Sequence, residues 1–352
     1  MKNKPIPYSS LKNEKKCLRE MLPLSMPISM FLDPSNYCNF RCLFCPRSLP
    51  EYRRYVEKYV HFDLVLFEKI MKEITTYGRL KVLKLHYLGE PFLHPQIIEM
   101  ISLAAKYNAA ERFEITSNGS VLSNKHAEGI CSIAKNMDVP LYLRFSIYSV
   151  YPERHLRITN SKINIEKIYQ NIEYLKKCRD NSGVKNVFIF AQMLDTYTEE
   201  NDIFRKRYGN ITDEVIIVPP TNWSGFDEID ILSNVYGATH PQPDTAQSHK
   251  KVCALPFYTL CINSDGTAVA CCVDWSRKTL LGNVKEQTIY EIWNGSLANE
   301  LRKLHLRGER AKNEACRHCE YLNSYVGDNL DSLSVEEWDE LNKNIVNLKQ
   351  GT

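Results

Sequence analysis

Short runs of apolar and β-branched residues alternate with longer amphipathic stretches from about residue 28 to residue 220. In the stretch FDLVLFEKIMKEI, apolar residues recur every four positions, which is typical of a helix with one buried face. Strand and helix patterns alternate about six times, which predicts parallel strands joined by right-handed crossovers. This periodicity does not decide whether the sheet stays open or curls into a barrel. The predicted strands are 28–33, 81–88, 112–117, 141–147, 186–193 and 214–219, and the predicted helices lie near 62–77, 95–107, 124–136, 163–180 and 197–208.

A hairpin is predicted further along the chain, in YTLCINSDGTAVACC, where Asp265-Gly266 supplies the turn. A helix near 288–307 follows the hairpin. The last predicted helix, about 334–348, begins with Ser334-x-x-Glu337, which is the pattern of a capping box. The end of the chain is therefore predicted to be a small mixed α and β region.

Composition and charge exclude several classes of protein. The 352 residues are 43% hydrophobic and 25% charged, and the net charge is +3 from 45 basic and 42 acidic residues. This balance predicts neither a nucleic-acid-binding protein nor a polybasic membrane anchor. The first ten residues, MKNKPIPYSS, lack the apolar region of a signal peptide, and no apolar run approaches a membrane span of about 20 residues. We therefore expect a soluble, cytoplasmic protein.

The twelve cysteines are unevenly distributed. Structural disulfides are rare in the cytoplasm, so clustered cysteines there indicate metal sites first. Three cysteines fall in the loop from residue 38 to 45, and six fall between residues 253 and 319. Cys17, Cys131 and Cys178 stand alone and are interpreted as small buried hydrophobic residues.

The first cysteine group, in SNYCNFRCLFCPRS, consists of Cys38, Cys42 and Cys45. Structural zinc sites usually have four protein ligands, whereas this loop offers three at uneven spacing. Three thiolates suit a [4Fe–4S] cluster in which one iron is left open for a cofactor or substrate. The loop directly follows the first predicted strand, where parallel α/β folds place their active sites. Zinc, or a purely structural role, is the alternative for this loop.

These residues resemble the signature of the radical SAM superfamily. The resemblance implies that S-adenosylmethionine binds the open iron and is cleaved by one electron to methionine and a 5′-deoxyadenosyl radical. It also implies a partial (β/α)6 barrel over residues 28–220. Phe44, just before the third cysteine, takes the aromatic position that lies beside the adenine in the family.

Further motifs of the family follow in order. Gly89, Glu90 and Pro91 end the second predicted strand, and in the family this motif contacts the methionine amino group. Ser117 and Asn118 end the third strand in the manner of the family, and Ser146 matches a position whose hydroxyl meets the cofactor ribose or carboxylate. The sequence departs from the family after this serine, because Tyr148 and Thr159 align with an aspartate and an arginine of many relatives. Arg157 is a candidate to compensate.

The second cysteine group supplies a four-thiolate metal site. Its members are Cys253, Cys271, Cys316 and Cys319, and their chemistry permits either zinc or a second iron–sulfur cluster. Their order and spacing resemble the C-terminal SPASM/twitch extension of radical SAM enzymes. Residues 320–352 contain no cysteine, whereas a full SPASM domain has more cysteines beyond the CxxC pair. The resemblance therefore implies the shorter twitch form, with one auxiliary [4Fe–4S] cluster.

Two cysteines of the hairpin, Cys261 and Cys272, are left without a ligand role. Three interpretations remain open: buried hydrophobic residues, a ligand role for Cys272 if Cys271 points away, or donation of a hydrogen atom to a substrate radical.

The expected organisation has five parts along the chain. They are an N-terminal extension (1–27), the radical SAM partial barrel (28–220), a linker or substrate-covering loop (221–250), the small α+β twitch/SPASM-like domain (251–325) and a C-terminal helix (326–352). In the linker, Asn222-Trp223-Ser224-Gly225 is a candidate substrate contact or a buried structural segment.

The resemblance implies an oxidoreductase in which the auxiliary cluster removes an electron from the substrate radical. A sugar or cyclitol is the preferred substrate, and flavodoxin or ferredoxin is the expected electron donor. Modification of a ribosomally made peptide, by crosslinking or epimerisation, is the first alternative. Redox-neutral epimerisation with Cys261 or Cys272 as hydrogen donor is the second, and a non-catalytic metal-binding scaffold is the third.

Overall fold

The computed structural model describes residues 17–56, 58–219, 250–319, 321–324 and 328–348. The candidate substrate contact at 222–225 and nearly all of the predicted linker lie outside these residues. The strands are β1 Ser29–Leu32, β2 Val82–Lys84, β3 Phe113–Ser117, β4 Leu141–Ser146, β5 Val187–Leu194, β6 Glu214–Val218, β7 Thr259–Ile262, β8 Thr267–Val269 and β9 Leu280–Asn283. The helices are α1 Leu18–Met21, α2 Tyr52–Tyr55, α3 Leu64–Thr76, α4 Ile97–Lys106, α5 Asn124–Ala134, α6 Pro152–Thr159, α7 Ile165–Ser182, α8 Glu200–Tyr208, α9 Ile289–Asn294, α10 Ser296–Leu306, α11 Tyr321–Ser324 and α12 Val335–Leu348.

All nine strands lie in one sheet, in the order β6-β5-β4-β3-β2-β1-β7-β8-β9. The first six strands are parallel and adjacent in chain order, as the alternating pattern predicts. In this order β6 does not lie beside β1, so the described strands form a partial rather than a closed barrel. The predicted α/β fold class is confirmed.

The hairpin of β7 and β8 extends the same sheet, because β7 pairs in parallel with β1 from Ser29↔Thr259 to Leu32↔Ile262. Gly266 lies in the turn of this hairpin at φ +92°, a conformation that glycine adopts without strain. The barrel and the C-terminal region are therefore joined by backbone hydrogen bonds through β1.

Helix starts follow local side-chain chemistry. Asp63 caps α3 by accepting a hydrogen bond of 2.7 Å from the Leu66 N–H. Ser123 and Thr288 form capping boxes at α5 and α9, and Ser334 accepts from the Glu337 N–H at α12. The single helix predicted near 288–307 is in fact two helices, because the chain is extended at Gly295 (φ −70°, ψ 164°).

One large apolar core lies between the sheet and its helices and continues into α9 and α10. A second, smaller core joins the start of the described chain to its end, through Leu18, Phe257 and Trp338. In the described part of the chain, no helix is both long and apolar enough to cross a membrane.

Candidate active site

The first cysteine loop follows β1 and is held in place by α6. Backbone hydrogen bonds of 2.9 Å run from Arg41 N–H to the Thr159 carbonyl and from Leu43 N–H to the Ile158 carbonyl. The Cys45 N–H also donates to the Cys42 carbonyl, which closes a turn between the second and third cysteines. These bonds fix the backbone that presents the three thiols.

The three thiols of this loop interact with one another. Burial raises the pKa of Cys42 well above its ordinary value, and the nearby Cys45 and Cys38 raise it further. Within the described chain, which includes all twelve cysteines, none forms a disulfide. The structure therefore places the three thiols near enough for their charges to interact, whereas no group of three such side chains in the described chain is spaced to hold a single metal ion.

Hydrogen-bond donors surround these thiols. Cys38 Sγ accepts from the Phe40 N–H at 3.4 Å and from Asn118 Nδ2 at 3.8 Å. The Tyr148 hydroxyl interacts with Cys42, and the backbone N–H of Arg47 stabilises the thiolate of Cys45. Donors of this kind orient and stabilise thiolate ligands of a cluster, so the loop fits a [4Fe–4S] cluster.

Glu90 connects the ends of β2 and β3. Its Oε1 accepts hydrogen bonds from the Phe92 N–H (3.1 Å) and the Ser117 hydroxyl (2.7 Å), and its Oε2 accepts from the Asn118 N–H (2.8 Å). Burial raises the pKa of Glu90 to about 7, and these bonds oppose the rise. A carboxylate has about four acceptor positions, so one remains for a cofactor ammonium group.

Gly89 is required by its contact with the segment that leads into the cysteine loop. A Cβ at this position would lie 1.6 Å from the Ser35 carbonyl oxygen, which is too close for any residue with a side chain. Its N–H donates to Asp33, and the next N–H, of Glu90, donates to the Tyr37 carbonyl at 2.8 Å. The motif of Gly89, Glu90 and Pro91 therefore holds the segment that leads into the cysteine loop.

The other predicted cofactor contacts occupy the same edge of the sheet. Asn118 is buried and donates from Nδ2 to Asn39 Oδ1 at 3.0 Å, so part of its role is to hold the cysteine loop. Ser146 ends β4, and Pro91 begins a 3₁₀ turn. The Phe44 ring lies 5.3 Å from that of Tyr148. Their contacts with a cofactor remain predictions.

The residues that depart from the family pattern have separate positions. Tyr148 packs over the cysteine loop, and Thr159 binds that loop through its carbonyl. Arg157 is exposed on α6, and its compensating role remains a prediction. His155, which sequence reasoning missed, is buried against Phe40, and burial lowers its pKa to about 4.

The second cysteine group lines one cavity. The lining includes Cys253, Cys271, Cys316 and Cys319, together with apolar residues and His305. Burial raises the pKa of Cys316 above its ordinary range, and Cys253 and Cys319 add to this rise, so these thiols are near enough for their charges to interact. Nε2 of the buried His305 has no partner among the described residues. A cavity lined by four thiols suits a cluster with four cysteine ligands.

Cys261 and Cys272 do not line this cavity. Cys261 is fully buried in β7, opposite Phe31 of β1. Burial raises the pKa of Cys272, whereas the nearby Lys84 ammonium lowers it. The Lys84 ammonium also lies 4.3 Å from the centroid of the Phe31 ring. Cys271 lines the cavity, but Cys272 interacts electrostatically with Cys253 and Cys319, so the choice of Cys271 as the ligand remains a prediction.

A polar row that sequence reasoning missed crosses the sheet beside the cofactor edge. It consists of His86, Thr116, Arg144 and Gln192. Thr116 Oγ1 lies 3.2 Å from His86 Nε2 and accepts from Arg144 Nη2 at 3.0 Å, while Arg144 Nη1 donates to Gln192 Oε1 at 3.2 Å. Since side chains two residues apart on a strand share a face, Arg144 and Ser146 point to the same side of β4.

His86 is neutral within the polar row. Burial lowers its pKa well below the ordinary value, and the charges of Arg144 and Lys84 lower it further. The spacing of polar residues at every second position of adjacent strands is a signal that could have revealed the row.

Two family models match the chain. The Radical SAM superfamily model matches residues 32–217, and the SPASM model, an iron–sulfur cluster-binding domain, matches residues 253–320. Among curated relatives is the S-adenosyl-L-methionine-dependent 2-deoxy-scyllo-inosamine dehydrogenase of Niallia circulans. It is 19% identical over 288 residues, which are 82% of this chain and 90% of the relative. The GTP 3′,8-cyclase of Aquifex aeolicus (strain VF5) is 24% identical over 168 residues, which are 47% of this chain and 49% of the relative.

Solved structures share the fold. BtrN in complex with AdoMet and 2-DOIA has a TM-score of 0.55 at 16% identity, covering 87% of this chain and 96% of its own. Native anSMEcpe with bound AdoMet has a TM-score of 0.56 at 15% identity, covering 92% and 99%. Native anSMEcpe with bound AdoMet and the Cp18Cys peptide has a TM-score of 0.54 at 14% identity, covering 93% and 100%.

The radical SAM match covers more than half of the chain, and the cysteine loop and the motif after β2 lie within it. The chain therefore belongs to the radical SAM superfamily, uses S-adenosylmethionine and [4Fe–4S] clusters, and has a SPASM domain.

Proposed function

We propose that the enzyme oxidises a small polar molecule, such as a sugar or a cyclitol, and that the polar row binds it. The observation that carries this proposal is the row itself. Its imidazole, hydroxyl, guanidinium and amide groups offer both donors and acceptors, which match the hydroxyl or amino groups of such a substrate. The row is on the face of β4 that carries Ser146, which places it next to the proposed cofactor contacts.

Each cysteine group has a separate part in this proposal. Cys38, Cys42 and Cys45 would hold the first cluster, and Cys253, Cys271, Cys316 and Cys319 would hold the auxiliary cluster. When bound, these groups would supply radical abstraction of a substrate hydrogen atom and an acceptor for the second electron. The chain positions the substrate through the polar row, and the pairing of β1 with β7 joins the segments that lead into the two cysteine groups. A flavodoxin or ferredoxin supplies the reducing electron.

Two alternatives have specific support. The likeness to anSMEcpe, which has been solved with a peptide, supports modification of a peptide. The position of Cys272 beside Lys84, outside the four-cysteine cavity, supports a thiol that returns a hydrogen atom during redox-neutral epimerisation.

The test is anaerobic incubation of reconstituted enzyme with sugars, aminocyclitols and short peptides, each deuterated at carbon. We expect 5′-deoxyadenosine that carries deuterium, together with an oxidised product, from a sugar or cyclitol. Deuterium transfer from a peptide alone would contradict the proposed substrate class. Solvent deuterium in an inverted product would contradict oxidation.

A further inference from the structure

Arg47 is a buried cation whose nitrogens lack well-placed hydrogen-bond acceptors in the described parts of the chain. It lies two residues after Cys45, and 6% of its surface is exposed. Its guanidinium lies 5.7 Å from the ring centroid of Tyr52 and 5.8 Å from that of Tyr59. Nε, Nη1 and Nη2 are each buried without an acceptor of good hydrogen-bond geometry among the described residues, and the Tyr52 hydroxyl interacts with the guanidinium. Buried charged donors are strongly disfavoured unless they are bonded, so these three call for an acceptor.

Among the described residues, Arg47 forms no ion pair with a carboxylate. The buried Asp33 carboxyl lies near enough to interact electrostatically with the guanidinium. The thiols of Cys38 and Cys45 also lie near enough to the guanidinium to interact with its charge. Both residues belong to the proposed cluster loop, so sulfur is the acceptor chemistry next to Arg47.

We propose that Arg47 is a positioning residue for the first cluster: its guanidinium donates hydrogen bonds to the sulfur atoms of the cluster and makes the cluster easier to reduce. The proposal rests on the ligand roles proposed for Cys38, Cys42 and Cys45. The potential of a four-iron cluster depends on local charge, hydrogen bonds to sulfur and exposure to solvent. One-electron reduction makes the cluster more negative, so a fixed neighbouring cation stabilises the reduced state.

The experiment measures the reduction potential of the reconstituted full-length protein without S-adenosylmethionine or substrate. Dithionite supplies the electron, and the reduced clusters are followed by electron paramagnetic resonance. The signal that changes when S-adenosylmethionine is added afterwards identifies the first cluster. The variants are Arg47→Gln and Arg47→Lys, and the matched controls are Arg54→Gln and Arg54→Lys, at an exposed arginine of α2.

We expect Arg47→Gln to disfavour reduction of the first cluster at least tenfold, which is 59 mV for one electron. Arg47→Lys keeps the charge but loses the planar guanidinium with its several donors. The reduction potential of the first cluster is therefore expected to shift measurably, but less than in Arg47→Gln. Iron content and the signal of the other cluster stay unchanged, and the Arg54 variants match the wild type.

An unchanged potential in Arg47→Gln overturns the proposal in either of two ways. If affinity for S-adenosylmethionine falls instead, the guanidinium binds the cofactor carboxylate; if that is also unchanged, its partners are water molecules. If Arg47→Gln does not fold, equal potentials in Arg47→Lys and Arg54→Lys overturn the proposal. Because no substrate is present, a wrong substrate class does not affect the result.

Discussion

The backbone N–H of Asn118 donates a hydrogen bond of 2.8 Å to Oε2 of Glu90, across the ends of two neighbouring strands. Asn118 in turn reaches Cys38 Sγ and Asn39 with its side chain. A carboxylate after β2 is thereby connected to the cysteine loop after β1 through a residue that follows β3. Changes at the proposed cofactor site are therefore expected to affect the cysteine loop as well.

Replacing Cys38, Cys42 and Cys45 together by alanine is expected to remove about four of about eight irons and to abolish cleavage of S-adenosylmethionine. Iron analysis and chromatography of 5′-deoxyadenosine measure the two effects. Cys131→Ala, at a buried thiol of α5, is the matched control and should retain both. Formation of 5′-deoxyadenosine by the triple variant would contradict the assignment of this loop.

Glu90→Gln is expected to weaken binding of S-adenosylmethionine by about 10- to 150-fold, since a charge-assisted hydrogen bond contributes about 1.5–3 kcal/mol. The NH2 group of glutamine would also either face the N–H of Asn118, where two donors oppose each other, or replace the oxygen that accepts the other bonds of Glu90. Equilibrium binding to the reconstituted protein measures the effect at constant iron content. Glu128→Gln, at an exposed carboxylate that accepts from Tyr174, is the control. Unchanged affinity would leave Glu90 with a purely structural role.

Alanine at both Cys316 and Cys319 is expected to preserve some 5′-deoxyadenosine formation but to stop formation of the oxidised product, because the substrate radical loses its electron acceptor. Cys178→Ala serves as the control thiol. Normal product yield in the double variant, with its iron content halved, would show that the auxiliary cluster is not the acceptor.

Cys261→Ala and Cys272→Ala are each expected to leave product formation intact, since oxidation needs no hydrogen donor. Truncation of the buried Cys261 should lower the free energy of unfolding by about 1 kcal/mol. Product analysis in deuterated water distinguishes oxidation from epimerisation. A solvent deuteron on a product carbon, lost in either variant, would favour the epimerase.

Thr116→Val is expected to raise the KM for the substrate about tenfold, because the hydroxyl that lies between His86 and Arg144 is removed at nearly constant volume. Affinity for S-adenosylmethionine and iron content should stay at the wild-type level. Thr75→Val, at an exposed hydroxyl of α3, provides the control. An unchanged KM would exclude the polar row from substrate binding.

Local patterns predicted much of the fold. Each of the six barrel strands is found within two residues of its predicted bounds, apart from the shorter β2, because their β-branched and apolar runs are continuous. Helix α6 was missed, since it is mostly polar and buries little besides His155, Ile158 and Thr159. The pairing of β7 with β1 was also missed, because it joins residues about 230 positions apart and leaves no local signal.

The candidate site was predictable where spacing carries chemistry, as in the two cysteine groups. The burial of Arg47 could not be predicted, because a sequence does not tell whether an arginine is exposed or is buried with few acceptors. Alternate polar positions mark the members of the polar row, but which of them meet across the sheet depends on the register of β3, β4 and β5, which pattern alone leaves undetermined.

The pairing of β7 with β1 has a consequence for how the protein folds. β1 is paired on both sides only after β7, which is synthesised about 230 residues later, has docked against it. Until then it is an edge strand with unpaired N–H and carbonyl groups, which favours association with other chains. The first half, produced alone, is therefore expected to aggregate, and nascent chains are expected to need protection until the C-terminal half emerges.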